Sequence, residues 1–167
     1  VIGGGAIACD CAVVAKEAGA SVEMFALENL GEMPLTPKER QLIFDHGIAV
    51  SGRTEVLSIL AAGGKVSGLK TLKVALPAGK DFHPANIVEL DGTDQDRPGF
   101  DLVVIAIGNR SKYGKLEGPG LFSTGDGAYG PATVVEAVAA GKNTAQNVDE
   151  FFTNKQPTSF AKDTKSH

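Results

Sequence analysis

Three glycines and an alanine near the start of the chain carry its clearest chemical signal. Gly3-Gly4-Gly5-Ala6-Ile7-Ala8 fits the pattern G-x-G-x-x-A, with apolar Val1 and Ile2 before it and a helical stretch after it. In that setting Gly3 permits a tight strand-to-helix turn. Gly5 lets backbone N–H groups approach a pyrophosphate, and Ala8 lets helix and strand pack closely. The phosphates would rest on the helix N-terminus, where orphan donors and the helix dipole favour negative charge. The other reading of the same residues is a tight turn with no ligand. Glu28, at the end of the next strand-like run, is the second candidate. A carboxylate there accepts hydrogen bonds from the ribose hydroxyls of NAD and repels the 2′-phosphate of NADP. Asn29 is its neighbour and helper; the competing reading is a solvated strand-end carboxylate.

The elements that must position these groups are legible as patterns. Residues 6–18 place small and apolar side chains at helical spacing and end at Gly19, a natural stop. Residues 21–27 read as a short second strand. Thr36-Pro37-Lys38-Glu39 predicts a capped helix start, with Thr36 as N-cap and Glu39 closing a capping box. That helix runs to about His46 and stops at Gly47. Residues 48–50 and 54–60 are strand-like, Gly63-Gly64 punctuates a hairpin, and residues 66–76 continue with alternation. Residues 86–90 form a further candidate strand. The run Asp101 to Ile107 is nearly continuous in apolar residues, as expected of a strand buried on both faces of a parallel sheet. From Pro131 to about Phe152 the pattern is helical again, and a disordered tail is expected beyond Pro157. The fold class this implies is α/β: a Rossmann-like parallel sheet with helices on both faces and an inserted β-meander, in a three-layer ββα arrangement.

Composition narrows the function classes. With 167 residues, 43% hydrophobic and 22% charged, the chain is long enough for a real core. No apolar run approaches the length of a membrane span, and no signal peptide precedes the first strand. A cytoplasmic protein is expected. A net charge of −4 with no basic block in the body disfavours nucleic acid as a partner. Cys9 and Cys11 lie two apart, on roughly opposite helix faces, so they predict reduced, buried thiols rather than a disulfide, a metal clamp or a redox pair. The chain opens at Val1, already at the end of a strand, which predicts a piece of a longer protein. A strand cut in this way leaves an edge that a homodimer would cover.

The residues also resemble a known family. Gly3-Gly4-Gly5 with Ala8, Asp10 and Cys11, followed by Glu32-Met33-Pro34, looks like the small (β) subunit of glutamate synthase and its flavoprotein relatives, the FAD/NADPH portion of dihydropyrimidine dehydrogenase among them. Ile105-Ala106-Ile107-Gly108 is similar to the stretch that crosses the nicotinamide-nucleotide site. Gly118-Pro119-Gly120-Leu121-Phe122-Ser123-Thr124-Gly125-Asp126 resembles the P-G-(V/L)-F-A-x-G-D segment whose aspartate meets the FAD ribityl–phosphate region. Gly130-Pro131, Thr133-Val134-Val135-Glu136-Ala137 and Gly141-Lys142 match the helix that follows. The resemblance covers nearly all of residues 1–150. It implies that Gly3, Gly4, Gly5, Ala6, Ile7, Ala8, Glu28, Ala106, Ile107, Gly108 and Asn109 hold a pyridine nucleotide, and that Gly125, Asp126, Ala132 and Thr133 touch FAD. It implies a nucleotide-binding domain over 1–117, a remnant of the FAD domain over 118–152, and a tail over 153–167.

Three departures shape the expectation. Relatives that use NADPH carry arginines just after the second strand, where this chain has Leu27, Glu28 and Asn29. A guanidinium is the natural partner of a 2′-phosphate, so NAD(H) is favoured over NADP(H). The stretch from Gly108 to Phe122 is shorter than the family's excursion. The flavin-binding glycine motif and the Fe–S cysteines that precede this region in the family are not in the sequence. FAD is therefore expected in the intact enzyme, with hydride passing between nicotinamide C4 and flavin N5. The cofactors carry that step, so no acid–base residue is nominated. His46, His83 and His167 read as structural or solvated. A short-chain dehydrogenase would need Tyr-x-x-x-Lys, but Tyr113 is followed at that spacing by Glu117 and Tyr129 by Thr133. The rival from another class is a non-catalytic nucleotide-binding or docking module that supports a partner redox subunit or an Fe–S domain.

Overall fold

The structure is a computed structural model, and it describes residues 1–109, 111–112, 114–116 and 118–153. The expected tail lies outside the described residues apart from Thr153. Two compact units divide the chain, Val1–Gly108 and a second that begins at Asn109.

In the first unit, helix α1 (Ala6–Glu17) starts at Gly5 and gives way to Gly19, whose φ of +93° suits glycine. Strand β1 (Glu23–Phe25) is shorter than its apolar run. Helix α2 (Pro37–Asp45) carries the full capping box: Glu39 N donates to Thr36 Oγ1 at 3.3 Å, and Thr36 N donates to Glu39 Oε2 at 2.6 Å. Strand β2 (Ala49–Ser51) then pairs with β1 in parallel. Ile2 forms parallel bridges to both Phe25 and Ile105. The parallel sheet therefore runs β2, β1, Ile2, Ile105, with α1 and α2 as its crossovers.

The meander consists of β3 (Thr54–Ala62) and β4 (Lys65–Ala75), which meet at Gly63-Gly64, plus β5 (Val88–Glu89) and β6 (Gln95–Pro98), both antiparallel to β4. The sequence reading missed β6, because Gln-Asp-Arg-Pro contains none of the residues that favour strands. Gly68 admits it: a Cβ there would stand 2.6 Å from the Arg97 carbonyl oxygen.

Alternation along β1 sets the layers. Met24 points to one side and shares a core with Ala8, Cys9 and Ala12 of α1 and Ile43 of α2. Burying a side chain such as Met24 or Ile43 contributes about 1.5–3 kcal/mol. Glu23 and Phe25 point to the other side and meet the meander. Arg97 Nη2 donates to both Glu23 oxygens at 3.2 and 3.1 Å, its guanidinium lies 5.5 Å from the Phe25 ring centre, and Phe100 meets Phe25 edge to face. The three-layer ββα arrangement is thus what the chain forms. Within this unit the two helices share one face of the sheet and the meander, rather than a helix, covers the other, because that face offers a carboxylate and a ring to Arg97.

Two expectations need correction. Residues 101–107 are not buried on both faces: Leu102, Ile105 and Ile107 are 75%, 62% and 72% exposed, and the stretch pairs with the sheet through Val104 and Ala106, which bond Ile2. Among the described residues, nothing packs over these apolar side chains closely enough to bury them. Cys11 is only half-buried, whereas Cys9 is fully buried; both are free thiols.

In the second unit, a short α3 (Asp126–Tyr129) precedes α4 (Val134–Thr153). The helix expected from Pro131 begins at Val134 because Thr133 and Glu136 form a capping box, Thr133 N donating to Glu136 Oε2 at 2.8 Å and Glu136 N to Thr133 Oγ1 at 3.3 Å. Phe122 and Phe151 pack edge to face.

Candidate nucleotide-binding site

In a parallel α/β sheet, ligands gather beyond the carboxyl ends of the strands. In the first unit four such ends lie side by side: the turn at Gly3, the exit from β1 at Ala26, the exit from β2 at Gly52, and Ala106. Gly3 closes this edge. It has φ of +129°, its N–H donates to Phe25 O at 2.8 Å, and a Cβ on it would stand 2.3 Å from Ala106 O and 3.4 Å from Ile107 N. Only glycine fits a backbone passing that near. The sequence-predicted partners Gly3, Ala106 and Ile107 are therefore brought together, although the Ile107 side chain is exposed.

Gly4 is the next point of contact. A Cβ there would stand 3.0 Å from Glu28 Oε2 and 3.1 Å from Met33 Cγ. The Glu28 carboxylate thus leans against the glycine turn, while buried Met33 supports it from below. Gly5 behaves differently. It is the N-cap of α1 with extended backbone (φ −87°, ψ 177°), no side chain caps the helix there, and a Cβ would meet nothing within 4 Å. Space stands open in front of amides that have no carbonyl within the helix to bond. Ala6 and Ile7 open the helix into that space, Ile7 being 68% exposed, and Ala8 is fully buried against the sheet.

Asn29 works through its backbone: its N–H donates to Glu32 Oε2 at 2.8 Å, and its carbonyl accepts from Glu32 N and Met33 N. The reading of the sequence passed over Arg53. Its Nη1 donates to Leu27 O at 2.8 Å and its Nη2 to Glu32 Oε1 at 2.6 Å. The signal was available: a residue that leaves a second parallel strand belongs to the same edge as Glu28.

Gly108 turns with φ of +86°, and Asn109 begins the second unit. There, Gly125 has φ of +63° with nothing near a Cβ, Asp126 starts α3, and Ala132 and Thr133 are exposed just before α4. The Thr133–Glu136 box satisfies two amides at that end of α4 with the chain's own side chains. His46 is tied to Leu42 O and Glu17, and His83 accepts from Ala85 N, so neither points to chemistry. Among the described residues no cluster of histidine, cysteine and carboxylate side chains is suited to a metal ion, and no helix is long and apolar enough to cross a membrane.

No family model matches the chain. Among curated proteins it is similar to the NADP(+)-dependent formate dehydrogenase subunit beta of Moorella thermoacetica, with 29% identity over 90% of this chain and 24% of that protein. Among solved structures it is similar to thioredoxin reductase of T. acidophilum (TM-score 0.62, 19% identity, 93% of this chain and 52% of that one). FprA, an oxidoreductase of Mycobacterium tuberculosis solved with modified NADP+, gives 0.63 at 13% identity, covering 92% and 52%. Lactococcus lactis thioredoxin reductase gives 0.64 at 17%, with the same coverage. The chain spans about a quarter of the curated relative and about half of the solved ones. The fold is the Rossmann-type FAD/NAD(P)-binding fold of thioredoxin reductase-like proteins. The comparisons reach that breadth and do not single out the glutamate synthase subunit.

Proposed function

We propose that this chain is the pyridine-nucleotide-binding portion of an FAD-dependent oxidoreductase, of the glutamate synthase small-subunit kind, passing hydride between NAD(P)H and flavin. The observation that carries the reading is Gly5: an uncapped helix start with open space where a side chain would be. That space suits a pyrophosphate, which the amides of residues 5–8 would hold. Glu28, leaning on Gly4, would meet the adenosine ribose with Asn29 beside it, and Ala106 to Asn109 would line the path toward the nicotinamide. Gly125, Asp126, Ala132 and Thr133 would touch FAD, and the open left-handed turn at Gly125 suits a close approach of backbone to ligand. When bound, the two cofactors supply the redox chemistry; the chain supplies orientation and selectivity.

NAD(H) is the favoured nucleotide, since Glu28 places a carboxylate where a 2′-phosphate would need a cation and residues 27–29 hold no arginine. The formate dehydrogenase subunit is named for NADP(+), which makes the choice a direct test. That relative is one subunit of a larger enzyme by its name, which supports a partner redox subunit for this chain as well. Calorimetric titration with NADH and NADPH checks both levels. NADH is expected to bind more tightly; tighter NADPH binding overturns the choice, and no binding of either overturns the site. A yellow purified protein with flavin absorbance supports the complete oxidoreductase, and a colourless NADH-binding one supports a nucleotide-binding module docked on its partner.

A further inference from the structure

Arg53 lies at the carboxyl end of β2, beside the loop that carries Glu28. Among the described residues it is the one non-glycine with positive φ, +48°, a conformation disfavoured for a residue with a Cβ. Contacts on every side hold it there. Its N–H reaches Glu28 O at 3.4 Å, Nη1 donates to Leu27 O, Nη2 donates to Glu32 Oε1, and the guanidinium stands 5.7 Å from the Phe82 ring centre. The other oxygen of Glu32 accepts the Asn29 N–H. The Arg53–Glu32 pair therefore grips the backbone on both sides of Glu28, at Leu27 and at Asn29. Gly52 brings the strand close enough for this, since a Cβ there would stand 2.9 Å from Glu28 O.

We infer that Arg53 is a positioning residue for nucleotide selectivity: through Leu27 O and Glu32 it fixes the loop so that the Glu28 carboxylate stays at the ribose. This rests on the nucleotide site proposed above. The guanidinium serves the loop rather than the ligand, because one nitrogen is committed to Leu27, another to Glu32, and Phe82 lies against it. The pair is partly shielded, with side chains 18% and 33% exposed, so water competes for it less than for an exposed ion pair.

The test is the ratio of Kd for NADPH to Kd for NADH, measured calorimetrically on the wild-type chain and on Arg53→Lys and Glu32→Gln, with thermal melting as a check on folding. Lysine keeps the charge but lacks the planar fork whose two nitrogens reach Leu27 O and Glu32 separately. Both variants are expected to lower the ratio toward one, by about fivefold, the scale of one ordinary hydrogen bond, while still melting cooperatively. An unchanged ratio in both overturns the inference. So does a rise in the ratio for Arg53→Lys, which would make Arg53 a direct phosphate ligand. If Arg53→Lys does not fold, Glu32→Gln decides alone by the same criterion. A wild-type chain that binds neither nucleotide overturns the site, and one that prefers NADPH overturns the choice of NAD(H); both results are distinguishable from a ratio that the variants leave unchanged.

Discussion

A methyl group on Gly3 would stand 2.3 Å from the carbonyl oxygen of Ala106. That contact, together with the left-handed φ of Gly3, separates two glycines that look equivalent in the motif. Gly3 is required by the protein's own packing, whereas Gly5 has nothing near it and ordinary backbone angles. Gly3→Ala is expected to destabilise the fold by about 2–4 kcal/mol, from strain and displacement of the backbone at Ala106. Gly5→Val is expected to change stability by no more than about 1 kcal/mol, the scale of an N-cap substitution, yet to abolish binding of either nucleotide. Urea denaturation alongside titration checks the contrast. Equal destabilisation by both variants would contradict it.

The Glu23–Arg97 pair is expected to fasten the meander to the parallel sheet. Both side chains are mostly buried, at 19% and 32% exposure, and Ser51 Oγ donates to Glu23 Oε1 as well. Arg97→Ala leaves that carboxylate short of its cation and should cost about 2–4 kcal/mol in urea unfolding. Glu23→Ala combined with Arg97→Ala should cost less than the two single changes added together.

Stability is also expected to depend on pH through α2. Donation from the Thr36 N–H, and then from its hydroxyl, holds the Glu39 carboxyl below the usual carboxylate range. A carboxyl whose folded pKa is depressed contributes stability above the unfolded value, and that contribution is lost as pH falls through the folded one. Amide exchange at Thr36 and Glu39 should therefore quicken as pH is lowered through the acidic range, after correction for intrinsic rates. Glu39→Gln should flatten that dependence. An identical profile in wild type and variant would contradict the assignment.

Much of this edge was legible in the residues. The G-x-G-x-x-A turn, the Thr36–Glu39 box and the Gly63-Gly64 hairpin are local signals, written in neighbouring side chains. What escaped was non-local. Strand β6 pairs because Gly68 leaves room for it, which no pattern within Gln95–Pro98 announces. The exposure of Leu102 and Ile107 depends on what packs over that stretch, and an apolar run cannot report its neighbours. Arg53 looks unremarkable until β2 sets it next to β1. In the second unit, the Thr133–Glu136 box is a local signal too, although the helical pattern alone places the start at Pro131. For Gly125 and Asp126 the structure supplies backbone geometry, and their role toward FAD stands as a proposal.

The central claim is that backbone amides at the Gly5 turn hold a dinucleotide, and NMR titration of the labelled chain with NADH tests it most directly. The amide signals of Gly4, Gly5, Ala6 and Ile7 are expected to shift together and saturate, with Glu28 following and the β3–β4 hairpin around Gly63 unmoved. Unshifted signals at Gly5 and Ala6 at millimolar NADH, or shifts confined to residues far from that turn, would contradict it.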